Sequence, residues 1–256
     1  MRILVNKDLI LEGIEKFCFY LLLFTIPFQT RKFIWAQNWP INEWTSIWFW
    51  GTDILILILL SVWIWSLFQN KKWFSFWRSD KFWIILGGLF WLWAGISLVS
   101  HLNYLSFYHW LKLAEIILFF LCLKDLADRK FLSEKVVILT LLTSGLFQSV
   151  LAISQFFKQS NLGLRILGES ILSSTLAGVA KINLGGIKLI RAYGTFPHPS
   201  ILAFFLSIII LFSLGYLIKT HLRQTKWLFS LFWLASSLFW LALFLTFSRT
   251  TIILAL

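Results

Sequence analysis

The stretch Ser200-Ile-Leu-Ala-Phe-Phe-Leu-Ser-Ile-Ile-Ile-Leu-Phe-Ser-Leu-Gly-Tyr-Leu-Ile218 decides the fold, because it carries no charge over the length of a membrane-crossing helix. About 20 helical residues cross the hydrocarbon core of a bilayer. The rest of the chain is similar: of its 256 residues, 59% are hydrophobic and 13% are charged, and the mean hydropathy is +0.81. A soluble domain of this size cannot bury so much apolar surface. The composition therefore predicts an integral membrane protein.

Seven apolar runs are long enough to span a membrane, at residues 9–28, 46–68, 82–100, 104–123, 136–157, 200–218 and 227–247. The first run is the weakest, because Glu12, Glu15 and Lys16 shorten its apolar part. An eighth run begins at Thr251 and reaches only Leu256, a rise of about 9 Å at the helical rise per residue. We therefore expect an all-α polytopic membrane bundle with seven complete transmembrane helices and the start of an eighth. The chain should form a single transmembrane domain over residues 1–256, truncated within the eighth helix.

Lys and Arg residues cluster in alternate connectors, and this asymmetry predicts the orientation. The connectors near residues 2–7, 71–81, 124–135 and 219–226 are short and rich in cations, which is typical of cytoplasmic loops. The N-terminus is then cytoplasmic, and the long segment 158–199 lies outside the cytoplasmic membrane. That segment is amphipathic and broken by Gly and Ser. It predicts a short helix lying in the membrane interface and a loop at Gly185-Gly186, with a re-entrant hairpin as the alternative.

The net charge of +12 does not indicate a nucleic-acid-binding protein. The cations lie in short connectors between apolar runs, where they set topology and contact anionic lipid headgroups. Cys18 and Cys122 both lie inside apolar runs, and no metal-ligand spacing is present. The expected partners thus include membrane lipids and exclude nucleic acid, and we expect neither a metal nor a cofactor.

Two arginine motifs flank the run 200–218 and the next run. Arg191-Ala-Tyr-Gly-Thr-Phe-Pro-His-Pro199 precedes the first, and Thr246-Phe-Ser-Arg249 follows the second. Both arginines should face the outside, beside a helix N-terminus whose free N–H groups attract anions. Gly194 would allow the backbone to approach a ligand closely, and a guanidinium binds phosphate well. The motifs predict a phosphate or diphosphate site, with contact to lipid headgroups as the alternative.

These motifs resemble those of the O-antigen ligase and O-antigen polymerase superfamily. The shared pattern is Arg-x-Tyr-Gly-Thr-Phe-x-x-Pro, a helical hairpin, and Thr-x-Ser-Arg, and the early stretch Pro27-Phe-Gln-Thr-Arg31 is similar too. The resemblance implies an extracytoplasmic glycosyltransferase. It would transfer a glycan from a polyprenyl diphosphate carrier to a hydroxyl of a lipid or glycan acceptor, without nucleotide sugar or obligatory metal.

In that picture Arg191 and Arg249 bind the carrier diphosphate, and Arg31 is a third candidate. The large exterior loop of the superfamily, with its acceptor-activating histidine, would follow the eighth helix, so we expect this chain alone to be inactive. The catalytic residue stays unknown. His198 is the one candidate base, with a loop histidine or a phosphate contact as the alternatives.

Two further features remain open. Lys112 and Glu115 lie three residues apart in one run, which predicts either a mutually neutralised pair or a polar lining of a substrate path. A membrane transporter or flippase for an anionic lipid-linked or polar substrate is the alternative function, and a non-catalytic scaffold is a third. No internal repeat of the kind common in transporters is present, which favours the transferase.

Overall fold

The computed structural model describes residues 7–38, 45–69, 73–100, 102–220 and 226–248, and within them the chain is built mainly from helices. It is 69% helical, which confirms the all-α class. The helices are α1 Lys7–Thr25, α2 Gly51–Gln69, α3 Trp73–Ser100, α4 Tyr104–Asp128, α5 Glu134–Lys158, α6 Pro199–Thr220 and α7 Lys226–Leu245.

Two antiparallel hairpins interrupt the helices. The first pairs β1 Arg31–Ala36 with β2 Ser46–Trp50 and leads directly into α2. The second pairs β3 Lys181–Leu184 with β4 Ile187–Ile190. Its two-residue turn is Gly185-Gly186, where the sequence predicts a loop, and both glycines have positive φ as a tight hairpin turn requires.

The prediction of seven complete transmembrane helices and the start of an eighth is wrong. Among the described residues, four helices are long and apolar enough to cross a membrane: Gly51–Gln69, Trp73–Val99, Glu134–Lys158 and Pro199–Lys219. Charged residues lie along α1 and α4, and an ionised side chain in hydrocarbon is costly. The apolar part described for α7 covers only Phe232–Leu245. The run after Ser248 lies outside the described residues. The four apolar helices indicate a membrane protein.

The chain divides into two compact units. The first consists of Met1–Leu22 and Arg31–Ser133, and the second of Leu23–Thr30 and Glu134–Leu256. In the first, residues of α1, α2 and α4 such as Leu22, Leu59 and Leu126 form the core. In the second, α5, α6 and α7 pack on one another around a core that includes Ala152 and Phe239. Whether residues 1–256 form a single transmembrane domain stays a prediction.

Between α5 and α6 the structure forms a folded loop instead of the expected interfacial helix. Its only helical turn is the 3-10 segment Arg165–Leu167. The buried carboxylate of Glu169 accepts hydrogen bonds from the backbone N–H groups of Leu162 and Leu164, both at 2.6 Å. In this segment a side chain, not the carbonyl of a preceding residue, accepts the backbone hydrogen bonds. Such bonds compete with the hydrogen bonds of a helix. The segment is therefore ordered by a loop anchor and by the β3–β4 hairpin.

Candidate functional site

Three separate sequence motifs meet within the second unit. The hydroxyl of Thr195 donates to the carbonyl of Pro27 at 2.6 Å, across 168 positions of sequence. The backbone N–H of Ala192 donates to the carbonyl of Leu245 at 3.0 Å. The stretches that begin at Pro27, Arg191 and Thr246 are therefore neighbours in space, although hydropathy alone cannot bring them together.

Arg191 lies between β4 and α6 and is partly buried. Its Nε donates to the carbonyl of Thr246, which fixes the guanidinium beside the end of α7. In the part of the chain that the structure describes, no carboxylate forms an ion pair with Arg191. Burial lowers the pKa of the guanidinium, but an arginine stays protonated at neutral pH. The structure thus holds a partly desolvated cation whose terminal nitrogens lack an acidic partner among the described residues.

The loop that follows Arg191 is held by two glutamines of α5. Gln155 accepts from the N–H of Gly194 at 2.8 Å and donates to its carbonyl at 2.9 Å. Gln148 accepts from the N–H of Thr195 at 2.9 Å. Both glutamines are completely buried, and each bond replaces water for a buried backbone group. The loop conformation is consequently dictated by α5.

Gly194 packs against α5. Its N–H and carbonyl are both bonded to Gln155, and its expected contact with a ligand stays a prediction. Its φ is +65°, and a Cβ there would lie 2.5 Å from Oε1 of Gln148. Glycine is therefore required here for close approach to α5.

Sequence reasoning missed Gln148, Gln155 and Glu169. Gln155 donates to Glu169 at 2.9 Å, which links the loop before α6 to the loop after α5. Two glutamines seven residues apart fall on one face of a helix, and polar residues are expensive inside an apolar helix unless they have partners. That spacing is the signal that could have identified them.

His198 occupies the N-terminus of α6. Its carbonyl accepts from Ile201 N–H at 3.1 Å, and its imidazole Nδ1 accepts from Ser200 N–H at 3.3 Å. The helix begins at Pro199, which suits a first helical position. Burial, and then the charge of Arg191, lower the pKa of His198. Because Nδ1 accepts, the neutral ring carries its proton on Nε2. The side chain then offers its Nε2–H as a donor for an anion, and a role as base stays a prediction.

The other two predicted arginines are Arg249 and Arg31. Arg249 lies outside the described residues. Thr246, whose carbonyl accepts from Arg191, precedes it by three positions in the sequence. Arg31 belongs to the first unit, where its guanidinium lies 4.4 Å from the ring centre of Trp48 and 5.1 Å from that of Trp50. Arg31 thus makes cation–π contacts within its own hairpin.

The arrangement around Arg191 can bind an anion. It combines a guanidinium, the N-terminal end of a 22-residue helix and a neutral histidine donor. In the described ranges, no group of three His, Cys, Asp or Glu side chains could hold a metal ion.

Comparison with models of protein families, with curated proteins and with solved structures finds no match for this chain. The described fold is that of a helical membrane protein, with Arg191 and His198 in the loop before α6.

Proposed function

We propose that this protein is an O-antigen ligase-like membrane glycosyltransferase. It transfers a glycan from a polyprenyl diphosphate carrier to a hydroxyl of a lipid or glycan acceptor. In this proposal the protein lies in the cytoplasmic membrane with its N-terminus in the cytoplasm, and residues 158–199 lie on the opposite side.

The observation that supports the proposal is the meeting of the three motifs. Pro27 contacts Thr195 through a hydrogen bond, and Arg191 contacts Thr246. Described residues from each of the three motifs that carry the resemblance are therefore joined by hydrogen bonds within the second unit. A chain that shared only hydropathy with the superfamily would have no reason to join these positions.

The chemistry of the transfer explains what Arg191 would do. When the acceptor oxygen attacks the anomeric carbon, the bond to the diphosphate breaks and negative charge grows on the leaving group. A fixed cation beside that group stabilises the transition state more than the ground state. Arg191 would supply this charge, and the Nε2–H of His198 would donate to a phosphate oxygen. Arg249 is the proposed second cation, and the catalytic base is unassigned.

The transporter alternative receives less support. Transporter sites often lie where membrane helices are broken near the middle of the bilayer. The four apolar helices of the described chain are continuous, and Arg191 lies before the start of α6. This placement favours a reaction at a membrane edge.

The proposal is tested by binding of farnesyl diphosphate to the chain in phosphatidylcholine nanodiscs. Arg191→Ala should weaken binding about tenfold or more, because a hydrogen bond between charged groups contributes about 1.5–3 kcal/mol. Arg191→Lys should bind with intermediate strength, since lysine keeps the charge but loses the planar fork. Isothermal titration calorimetry provides the measurement.

Arg165→Ala is the matched control. Arg165 lies in the same inter-helical segment and is exposed, so its loss should change the affinity less than twofold. Farnesol should not bind in the same manner, because it lacks the diphosphate. Equal affinities of wild type and Arg191→Ala, or an equal loss in Arg165→Ala, would contradict the proposed role of Arg191.

A further inference from the structure

A second polar site lies in the first unit, where a cavity of about 360 Å³ opens under the β1–β2 hairpin. Its walls come from β2, the first turns of α2 and the first two-thirds of α4. The residues that line it and carry the argument are Ser46, Trp48, Trp50, Asp53, Lys112 and Glu115. This volume falls in the usual range of small-molecule pockets.

Three charged side chains at the cavity neutralise one another in part. Lys112 Nζ lies 2.5 Å from a carboxylate oxygen of Asp53 and 2.7 Å from one of Glu115. Asp53 also accepts from the backbone N–H of Trp50 at 3.0 Å, which caps the start of α2. The pair that the sequence predicts between Lys112 and Glu115 is therefore a triad. With one cation and two carboxylates, it has little net charge.

Several polar atoms at this cavity have no partner among the described residues. They are the hydroxyl of Ser46, the indole Nε1 of Trp48 and the second carboxylate oxygen of Glu115. Ser46 is 1% exposed. Leaving such atoms unpaired costs about 1–3 kcal/mol each. The set contains a donor, an acceptor and a hydroxyl that can act as either.

The aromatic wall is held in place by Arg31, by Phe33 and by Tyr108, which itself lines the cavity. Arg31 covers the rings of Trp48 and Trp50, and the hydroxyl of Tyr108 donates to the carbonyl of Trp48 at 2.5 Å. Phe33 packs edge-on against Trp48, with ring centres 5.3 Å apart. A rigid aromatic surface beside unpaired donors and acceptors is thus preformed.

From these features we infer that the cavity binds a neutral, hydroxyl-rich ring, namely a sugar unit. The C–H face of a sugar packs on an aromatic ring. Its hydroxyls donate to the free carboxylate oxygen of Glu115, accept from the indole N–H of Trp48, and either donate to or accept from the hydroxyl of Ser46. A small anion is disfavoured by the two carboxylates, and a cation would meet carboxylates that both already pair with Lys112. A purely apolar ligand would leave the three polar atoms unpaired.

This inference goes beyond the proposed transfer reaction, because Arg191 has no part in it. It also gives Arg31 a role, that of ordering the aromatic wall of the sugar cavity.

The test is saturation-transfer NMR with glucose, galactose, mannose and N-acetylglucosamine as probes. The chain is placed in phosphatidylcholine nanodiscs, because detergents with sugar headgroups would compete. At least one probe should receive saturation on its ring protons. Its affinity should fall about fivefold in Trp48→Phe and in Ser46→Ala, since each removes one hydrogen bond and keeps the packing.

Two measurements serve as controls. Trp65→Phe makes the same substitution at a residue of α2 that is 57% exposed and should leave the affinity unchanged. Wild type should also bind the sugar normally in the presence of farnesyl diphosphate, which separates this site from the diphosphate site. The inference is overturned if no probe receives saturation, if Trp48→Phe and Ser46→Ala bind as well as wild type, or if choline binds in place of every sugar.

Discussion

At the scale of single residues, the meeting of the motifs depends on positions with no room for a side chain. Gly168 has φ of +86°, and a Cβ there would lie 2.3 Å from a backbone atom of Gln29. Nearby, the hydroxyl of Thr30 donates to the carbonyl of Ile166 at 3.1 Å. The loop after α5 thus packs backbone to backbone on the stretch that follows Pro27, and a main chain cannot swing aside as a side-chain tip can.

Gly168→Ala should therefore destabilise the protein strongly. The left-handed conformation costs an alanine about 1–2 kcal/mol, and forcing an atom into a filled space adds about 1–3 kcal/mol. The measurement is the free energy of unfolding by sodium dodecyl sulfate in mixed micelles.

Gly178→Ala is the control for this comparison. Gly178 has a similar φ of +82°, but nothing lies within 4 Å of the added Cβ. Gly178→Ala should lower the free energy of unfolding only by the cost of the left-handed conformation, about 1–2 kcal/mol. Similar losses in both variants would show that the contact with Gln29 does not constrain the fold.

At the scale of elements, α5 supports the loop before α6, which is the proposed anion site. Gln155 bonds to Gly194 and Glu169, and Gln148 bonds to Thr195. Their amides lie inside an apolar helix that is long enough to cross a membrane. A transmembrane helix that faced only lipid would not carry them. The two glutamines on this face of α5 therefore order the loop before α6.

Gln155→Leu should loosen this loop without unfolding α5. It leaves the N–H and carbonyl of Gly194 unpaired, at a cost of about 1–3 kcal/mol. Hydrogen exchange of the Gly194 amide should accelerate about tenfold or more, as measured by mass spectrometry on nanodisc samples.

The neighbouring residue offers a matched control. Ser154 donates only to the carbonyl of Val150 in its own helix, so Ser154→Ala should leave exchange at Gly194 within twofold of wild type. Unchanged exchange in Gln155→Leu would mean that the glutamine does not hold the loop.

At the scale of the whole molecule, the two apolar helices of the second unit form an antiparallel pair. Lys219 near the end of α6 forms an ion pair at 2.6 Å with Glu134 at the start of α5. The opposite ends carry the loop of Arg191 and His198. If both helices cross the membrane, the cation-rich ends lie in the cytoplasm, and the anion site lies outside.

Cysteine labelling in intact cells tests this orientation. Cys18 and Cys122 are free and buried and are replaced by alanine in the background. Ser160→Cys, after α5, should react with a membrane-impermeant maleimide. Ser133→Cys, before α5, should react only after permeabilisation. Labelling of both positions from outside would show that α5 does not cross, and the reverse pattern would place Arg191 in the cytoplasm and end the proposed reaction.

The membrane class and most helix positions follow from the sequence alone. These features are local, because an apolar run acts on its own neighbourhood in the chain. The number of spans was overestimated, because the runs that form α1 and α4 have the apolar length of a span but carry charged residues along the helix.

Only the tertiary structure decided that Pro27 meets Thr195, that Arg191 meets Thr246, and that Gln155 holds Gly194. The same holds for Asp53, which joins Lys112 and Glu115 beside the aromatic cavity. These contacts join residues far apart in sequence, and their formation depends on how helices pack. Packing depends on the shape of all the side chains together, which no single stretch of sequence contains.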